Sequence, residues 1–401
     1  MRLEVVYMNQ AYSDNFRSFG FQLAIGLVMG AVIACSPTAF DTPTKFAPLQ
    51  SGGICDSTVT NCVSNNGFLD ISQEFKVGAG KVDILFVDDN SASMSFEQSN
   101  MAAKFGGFIE NLDRRGIDYK IAIITTDLAA TQKKRFISFG NGKNFLTNAD
   151  GNRVGLFNQA IARPETLQCE NFIRNAISNY GSGWRYDSRY QAGYSVNCPS
   201  PDERGLYTSN LVISENSESF LRLDANLNVI LISDEDERSA QTQNFETNDR
   251  YEAFNSMMTS VHPAKYWEFN SIVVKDESCK SIQSGQMPDN AVSASIGMEY
   301  VKLSNSSARD IDNNPRPRGQ ILDICQADYA QHFAAIATQI GDSSRMLTLR
   351  CKPTEAPVVE KTGSPGQMIP FTWDGNQAVV FQRGSEGIAA TVKYRCYQGV
   401  K

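Results

Sequence analysis

The sequence predicts an α/β protein: a doubly wound, largely parallel sheet flanked by helices, followed by a small C-terminal β module. Three observations point there. Short apolar runs alternate with amphipathic stretches through most of the chain, as βα units require. The 401 residues are 41% hydrophobic and 20% charged, an ordinary globular balance, and they exceed what one core of about 250–300 residues usually holds. After residue 344 the texture changes to short alternating runs, MLTLRC, APVVEK, AVVFQR and ATVKYRCY, broken by Gly and Pro.

In chain order, residues 21–34 (FQLAIGLVMGAVIA) form an uncharged run behind Arg17. That fits a signal-peptide apolar region of about 7–15 residues and falls short of the roughly 20 that span a bilayer. The run ends in Val32, Ile33, Ala34 and Cys35, which resembles the lipobox of bacterial lipoproteins. The resemblance implies a signal peptide over 1–34 and a lipid on Cys35. Ser36 resembles the pattern that lets a lipoprotein pass to the outer membrane, so the expected location is the cell envelope, facing the periplasm or outward. Residues 35–66 are rich in Pro, Thr, Ser and Gly without apolar period and read as a tether.

The main domain is expected over 67–344. Its best strands are 83–87 (DILFV), 120–125 (KIAIIT), 228–233 (NVILIS) and 271–275 (SIVVK). Met101, Phe105, Phe108, Ile109 and Leu112 recur at helical spacing between the first two, which places one apolar face on the sheet. Weaker helical patterns cover 165–177, 251–261 and 327–340. Residues 345–401 form the β module.

Nine cysteines are present. Setting Cys35 aside leaves an even number, with no Cys-x-x-Cys spacing, so disulfides in an oxidising compartment are expected. Eight cysteines allow roughly a hundred connectivities. Nearest neighbours give Cys55 with Cys62, Cys169 with Cys198, Cys279 with Cys325, and Cys351 with Cys396. The net charge of −7 and the lack of a Lys/Arg cluster argue against a nucleic-acid partner. The two histidines, His262 and His332, lie far apart in sequence and offer little to histidine-based catalysis.

Ligands of doubly wound sheets bind outside the carboxyl ends of the strands. Here those ends are oxygen-rich. The first strand runs into Asp88, Asp89, Asn90, Ser91, Ala92 and Ser93 before the first helix, and the third ends in Ser233, Asp234, Glu235, Asp236 and Glu237. The stretch DILFVDDNSASM (83–94) closely resembles the opening strand and Asp-x-Ser-x-Ser metal loop of von Willebrand factor A domains, a Rossmann-like family. On that pattern Asp89, Ser91 and Ser93 are cation ligands and Asp234 is the aspartate of the third loop. The family's middle loop usually offers a threonine after a glycine pair; Ser182, between Gly181 and Gly183, is the candidate, with Thr125, Thr126 and Asp127 as another oxygen source. The likeness covers about residues 70–342.

These residue types suit a hard cation, Mg²⁺ first and Mn²⁺ or Ca²⁺ as alternatives. Mg²⁺ takes about six oxygens and keeps some water. The resemblance implies that a Glu or Asp carboxylate of a protein partner completes the shell, so that the protein binds and adheres rather than catalyses. The competing reading makes 88–93 a plain helix cap and 234–237 a solvated turn.

Residues 184–227 read as an insertion whose aromatics, Trp184 and Tyr186 first, form a partner-contacting wall; packing into a local core fastened by Cys169 and Cys198 is the alternative. The GNGK at 140–143 lacks the Walker pattern and reads as a turn. A metal-dependent hydrolase and a periplasmic scaffold are the rival functions.

Overall fold

The computed structural model describes Cys55 and residues 61–140, 142–238 and 246–397. The expected signal peptide, Cys35 and most of the tether lie outside the described residues. The chain opens with a hairpin, β1 (Asn61–Asn65) and β2 (Phe68–Lys76). Asn66 and Gly67 turn it with φ of 49° and 81°, the positive pair that a two-residue hairpin turn demands.

Next come β3 (Lys81–Asp88), α1 (Ser95–Arg115), β4 (Asp118–Thr125), α2 (Leu128–Lys133) and β5 (Leu146–Thr147). Helices α3 (Arg153–Ile161), α4 (Pro164–Tyr180), α5 (Ser188–Asn197) and α6 (Gly205–Ser214) then lead to β6 (Ala225–Ser233). After α7 (Tyr251–Val261), β7 (Trp267–Val273), α8 (Glu277–Ser284) and α9 (Met298–Ser304), a small hairpin of β8 (Ser307–Arg309) and β9 (Pro315–Pro317) precedes β10 (Ile321–Asp323) and α10 (Ala330–Ser343). The C-terminal strands are β11 (Met346–Thr348), β12 (Val358–Lys361), β13 (Phe371–Trp373), β14 (Ala378–Phe381) and β15 (Ala389–Tyr397).

The central sheet has the order β10-β7-β6-β3-β4-β5, parallel throughout except for β5. Every residue of β6 and β7 is buried, because helices cover both faces of a parallel sheet. Alternate residues serve opposite cores. Ile84, Phe86, Ile121, Ile123 and Ile230 face Phe105, Phe108, Phe157 and Phe333 of α1, α3 and α10. Leu85, Val87, Ile124 and Val229 face Leu206, Val212, Phe254 and Tyr300 of α6, α7 and α9. The chain builds outward from β3 through β4 to β5, then returns to lay β6 on the other flank of β3. At such a reversal a doubly wound sheet is expected to bind its ligand, outside the carboxyl ends of β3 and β6.

Two smaller sheets, β1-β2-β15-β12 and β11-β14-β13, share a core of Leu69, Ile71, Leu347, Val359, Val379, Phe381 and Val392. The long antiparallel register runs from Ala389 opposite Lys76 to Tyr397 opposite Phe68. The β module therefore takes strands from both ends of the described chain, where the sequence had suggested 345–401 alone and an α/β domain starting at 67. Residues 68–76 bury one face, the signature of an antiparallel outer strand, and their partner lies too far along the chain for local reading to find.

Four disulfides join Cys55 to Cys62, Cys169 to Cys198, Cys279 to Cys325 and Cys351 to Cys396. Among the described residues no helix is long and apolar enough to cross a membrane.

Candidate functional site at the carboxyl ends of β3, β4 and β6

Asp89 leaves β3 beside β6, its amide donating to the Ile232 carbonyl at 3.1 Å. Its side chain then organises two loops at once. One oxygen accepts from the Ser91 amide at 2.8 Å and the other from the Ser233 hydroxyl at 2.6 Å. The first bond bends the chain so that Ser91 and Ser93 present their hydroxyls together, 3.0 Å apart, around the 3-10 turn Ala92–Met94. Ser93 Oγ in turn donates to Asp234 Oδ1 at 3.1 Å. Gln98 of α1 supports the loop from behind, its amide donating to the Asp89 carbonyl and to Asp88. Thr166 of α4 donates to the Asn90 carbonyl at 2.8 Å.

The spacing suits a hard cation. Adjacent oxygens of an octahedral shell with bonds of about 2.1 Å lie about 3 Å apart, the separation of Ser91 Oγ from Ser93 Oγ and of Ser93 Oγ from Asp234 Oδ1. Asp234 is fully buried, and its second oxygen has no hydrogen-bond partner among the described residues. An unpaired buried carboxylate oxygen is costly. A cation beside it would remove that cost, which a simple helix cap does not explain.

Burial raises the pKa of Asp89, against the bonds from Ser233 and Ser91 that lower it. Asp234 is pushed well up, by burial first and then by the charges of Asp89 and Glu235. Among the described residues no Lys or Arg forms an ion pair with Asp89 or Asp234, so their charges are set close together without a basic partner.

Ser182 does not join this group. It is exposed, in the 3-10 turn Gly181–Tyr186, and hydrogen-bonds to none of Asp89, Ser91, Ser93 or Asp234. From the middle of the chain, Thr126 and Glu203 come together at the end of β4, beside β3. The Thr126 amide donates to the Asp88 carbonyl at 3.3 Å, and its hydroxyl donates to Glu203 Oε2 at 2.7 Å. Glu203 is buried, and burial followed by the charges of Asp89 and Glu235 pushes its pKa well up. The sequence carried one signal of this: Thr126 ends a strand next to β3. Nothing local marked Glu203.

Trp184 is not a surface anchor. It is 1% exposed and packs with Ala92, Cys169, Ile173, Ala176 and Met287, with Tyr190 edge-on at 4.7 Å. The Cys169–Cys198 disulfide holds α5 over this local core. Tyr186, at 85% exposure, stays free at the surface. The expected insertion also shrinks, because α6 packs on the sheet through Leu206 and Val212.

Three further groups of the described residues are already engaged. Cys279, Asp323 and Cys325 lie close together, but the two sulfurs form a disulfide and offer no thiolate. His262 and His332 pair with the carbonyls of Ile213 and Asp323. Residues 139–143 close a tight turn through two backbone bonds between Phe139 and Gly142 or Lys143.

No protein-family model and no curated protein matches the chain. Among solved structures, the open conformation of the pilus adhesin SpaC from Lactobacillus rhamnosus GG is similar at a TM-score of 0.31 and 11% identity, over 83% of this chain and 41% of that one. Proximal thread matrix protein 1 of the mussel byssus is similar at 0.29 and 11%, over 68% of this chain and 48% of its own. The chain spans less than half the length of these two proteins, and likeness at this level transfers no function.

Proposed function

We propose that the protein is an exported, lipid-anchored envelope protein whose α/β domain, of the von Willebrand factor A type, holds a divalent cation and through it an acidic residue of a protein partner. Asp89, Ser91, Ser93 and Asp234 hold the ion, Mg²⁺ first among hard cations. The observation that carries the reading is the trio of Ser91, Ser93 and Asp234 oxygens at octahedral spacing beside an unpartnered Asp234 oxygen. The strand order supports the domain type, since it puts the Asp-x-Ser-x-Ser loop and Asp234 on neighbouring strands at the reversal point. Four disulfides support export.

The cation supplies a positive charge with exchangeable water, to which a carboxylate can bind. The chain's own residues do the rest. Ser91 and Ser93 offer neutral oxygens, while Asp89 fixes their geometry and ties the loop to Ser233. We assign this arrangement a binding role, because two neutral hydroxyls beside the carboxylates leave a bound cation open to a further carboxylate.

Calorimetric titration with Mg²⁺ or Mn²⁺ tests the reading. One ion should bind the wild type, and Ser93→Ala and Asp234→Asn should weaken binding at least about tenfold. With Mn²⁺ bound, acetate should lower water-proton relaxivity by displacing a coordinated water. Absence of cation binding, or binding indifferent to both substitutions, would overturn the proposal.

A further inference from the structure

We infer that Glu203 is the cation ligand supplied by the middle of the chain, in place of a neutral hydroxyl, and that its charge sets how strongly the loaded site accepts a partner's carboxylate. The assignment rests on the cation reading above.

Three observations carry it. First, Glu203 is placed by backbone rather than by chance. It bridges Asp127 in antiparallel fashion, and the next amide, of Arg204, donates to the Thr126 carbonyl at 3.0 Å. This clamps the segment to the carboxyl end of β4, beside β3. Second, the side chain is 2% exposed, yet only Oε2 is engaged, by the Thr126 hydroxyl; Oε1 takes no hydrogen bond among the described residues. The Glu203 carbonyl accepts from the Arg238 amide, in the loop that follows β6, so the segment is held between the carboxyl ends of β4 and β6. Third, the unpartnered Asp234 oxygen is an independent mark of a missing positive charge there.

The consequence is one of charge balance. Asp89 and Asp234 together match a divalent ion. A third carboxylate tightens the hold on the ion but leaves the loaded site negative, which opposes an incoming carboxylate. A hydroxyl at this place would do the reverse, with weaker ion binding and stronger capture.

Glu203→Gln keeps an acceptor for Thr126 and removes the charge; Glu203→Thr supplies the hydroxyl. Mn²⁺ binding to the full chain is read from the free-ion electron paramagnetic resonance signal, and acetate binding from the relaxivity of the loaded protein. Both variants should hold Mn²⁺ at least about tenfold more weakly and bind acetate severalfold more tightly once loaded. Far-ultraviolet circular dichroism and thermal melting verify that each variant is folded, and either one suffices. Unchanged Mn²⁺ affinity in a folded variant, with Ser93→Ala still abolishing binding, overturns the Glu203 assignment alone. A wild type that binds no Mn²⁺ overturns the cation reading and this inference together.

Discussion

Asp234 concentrates the cost of the site. Among the described residues, one of its oxygens has only the Ser93 hydroxyl as a hydrogen-bond partner and the other has none. Without a cation, its charge is a burden on the fold. Asp234→Asn should therefore stabilise the cation-free protein by about 1–3 kcal/mol, while abolishing the stabilisation given by Mg²⁺. Urea unfolding in chelator, with and without the ion, measures both, and a variant less stable in chelator would contradict the reading. The same logic gives a pH dependence. Asp89, Asp234 and Glu203 have native pKa values raised above the ordinary carboxylate range, so the native state binds more protons than the unfolded state. Stability then falls as pH rises from about 4 through the raised values. Asp236, held at about 6 chiefly by burial, adds its loss between about pH 4 and 6. Mg²⁺ at a hundred times its Kd should restore about 2.7 kcal/mol near neutrality and less at pH 5, as thermal melts at the two values would register. An equal shift at both would show that carboxylate charge is not what the ion offsets. At this scale the loops that carry Asp89, Ser91, Ser93 and Asp234 were legible because they close the apolar runs of β3 and β6. Glu203 was not, since its neighbours read as loop and its place depends on a bridge to Asp127, far back in the chain.

At the scale of elements, the legible parts were those whose burial pattern is local. β3, β4 and β6 carry apolar residues on both faces and need no partner to be recognised, whereas β7 (Trp267–Val273) was expected at 271–275, because Glu268, Asn270 and Ser271 interrupt its apolar run. β5 is only Leu146–Thr147, too short to leave a periodic trace. The α4–α5 region misled for a different reason: aromatic residues look alike whether they will be exposed or packed. Trp184 fills the space between Ala92, in the turn that follows β3, and the α4 residues Ile173 and Ala176. Trp184→Ala should cost about 3–5 kcal/mol in chemical denaturation, whereas Tyr186→Ala should stay within about 0.5 kcal/mol. Because the Trp184 cluster includes Ala92, the first change should also loosen Mn²⁺ binding. A Trp184 variant of unchanged stability would place that ring outside the core.

Taken whole, the molecule folds an α/β sheet and a β module that share one chain in the order module, sheet, module. A chain ending at Ser343 would keep β2 but lose β15, uncovering Leu69 and Ile71 and opening a strand edge to other molecules. Such a truncation should aggregate, and removal of residues 61–77 as well should recover a monomer, both visible by size-exclusion chromatography. The pairing of the first strands with the last escapes any local reading, because nothing in 68–76 announces a partner at 389–397. The same pairing has a mechanical meaning. On the function proposed above, a pull on the chain ahead of Asn61, resisted by a partner held at Asp89, would travel along β1, β2 and β3 and reach that residue without entering a helix. Tension would be carried by strands in series, with the nine-residue β2 clasped along its length by β15, so the last strand of the chain serves as the clamp for a load that enters at its beginning.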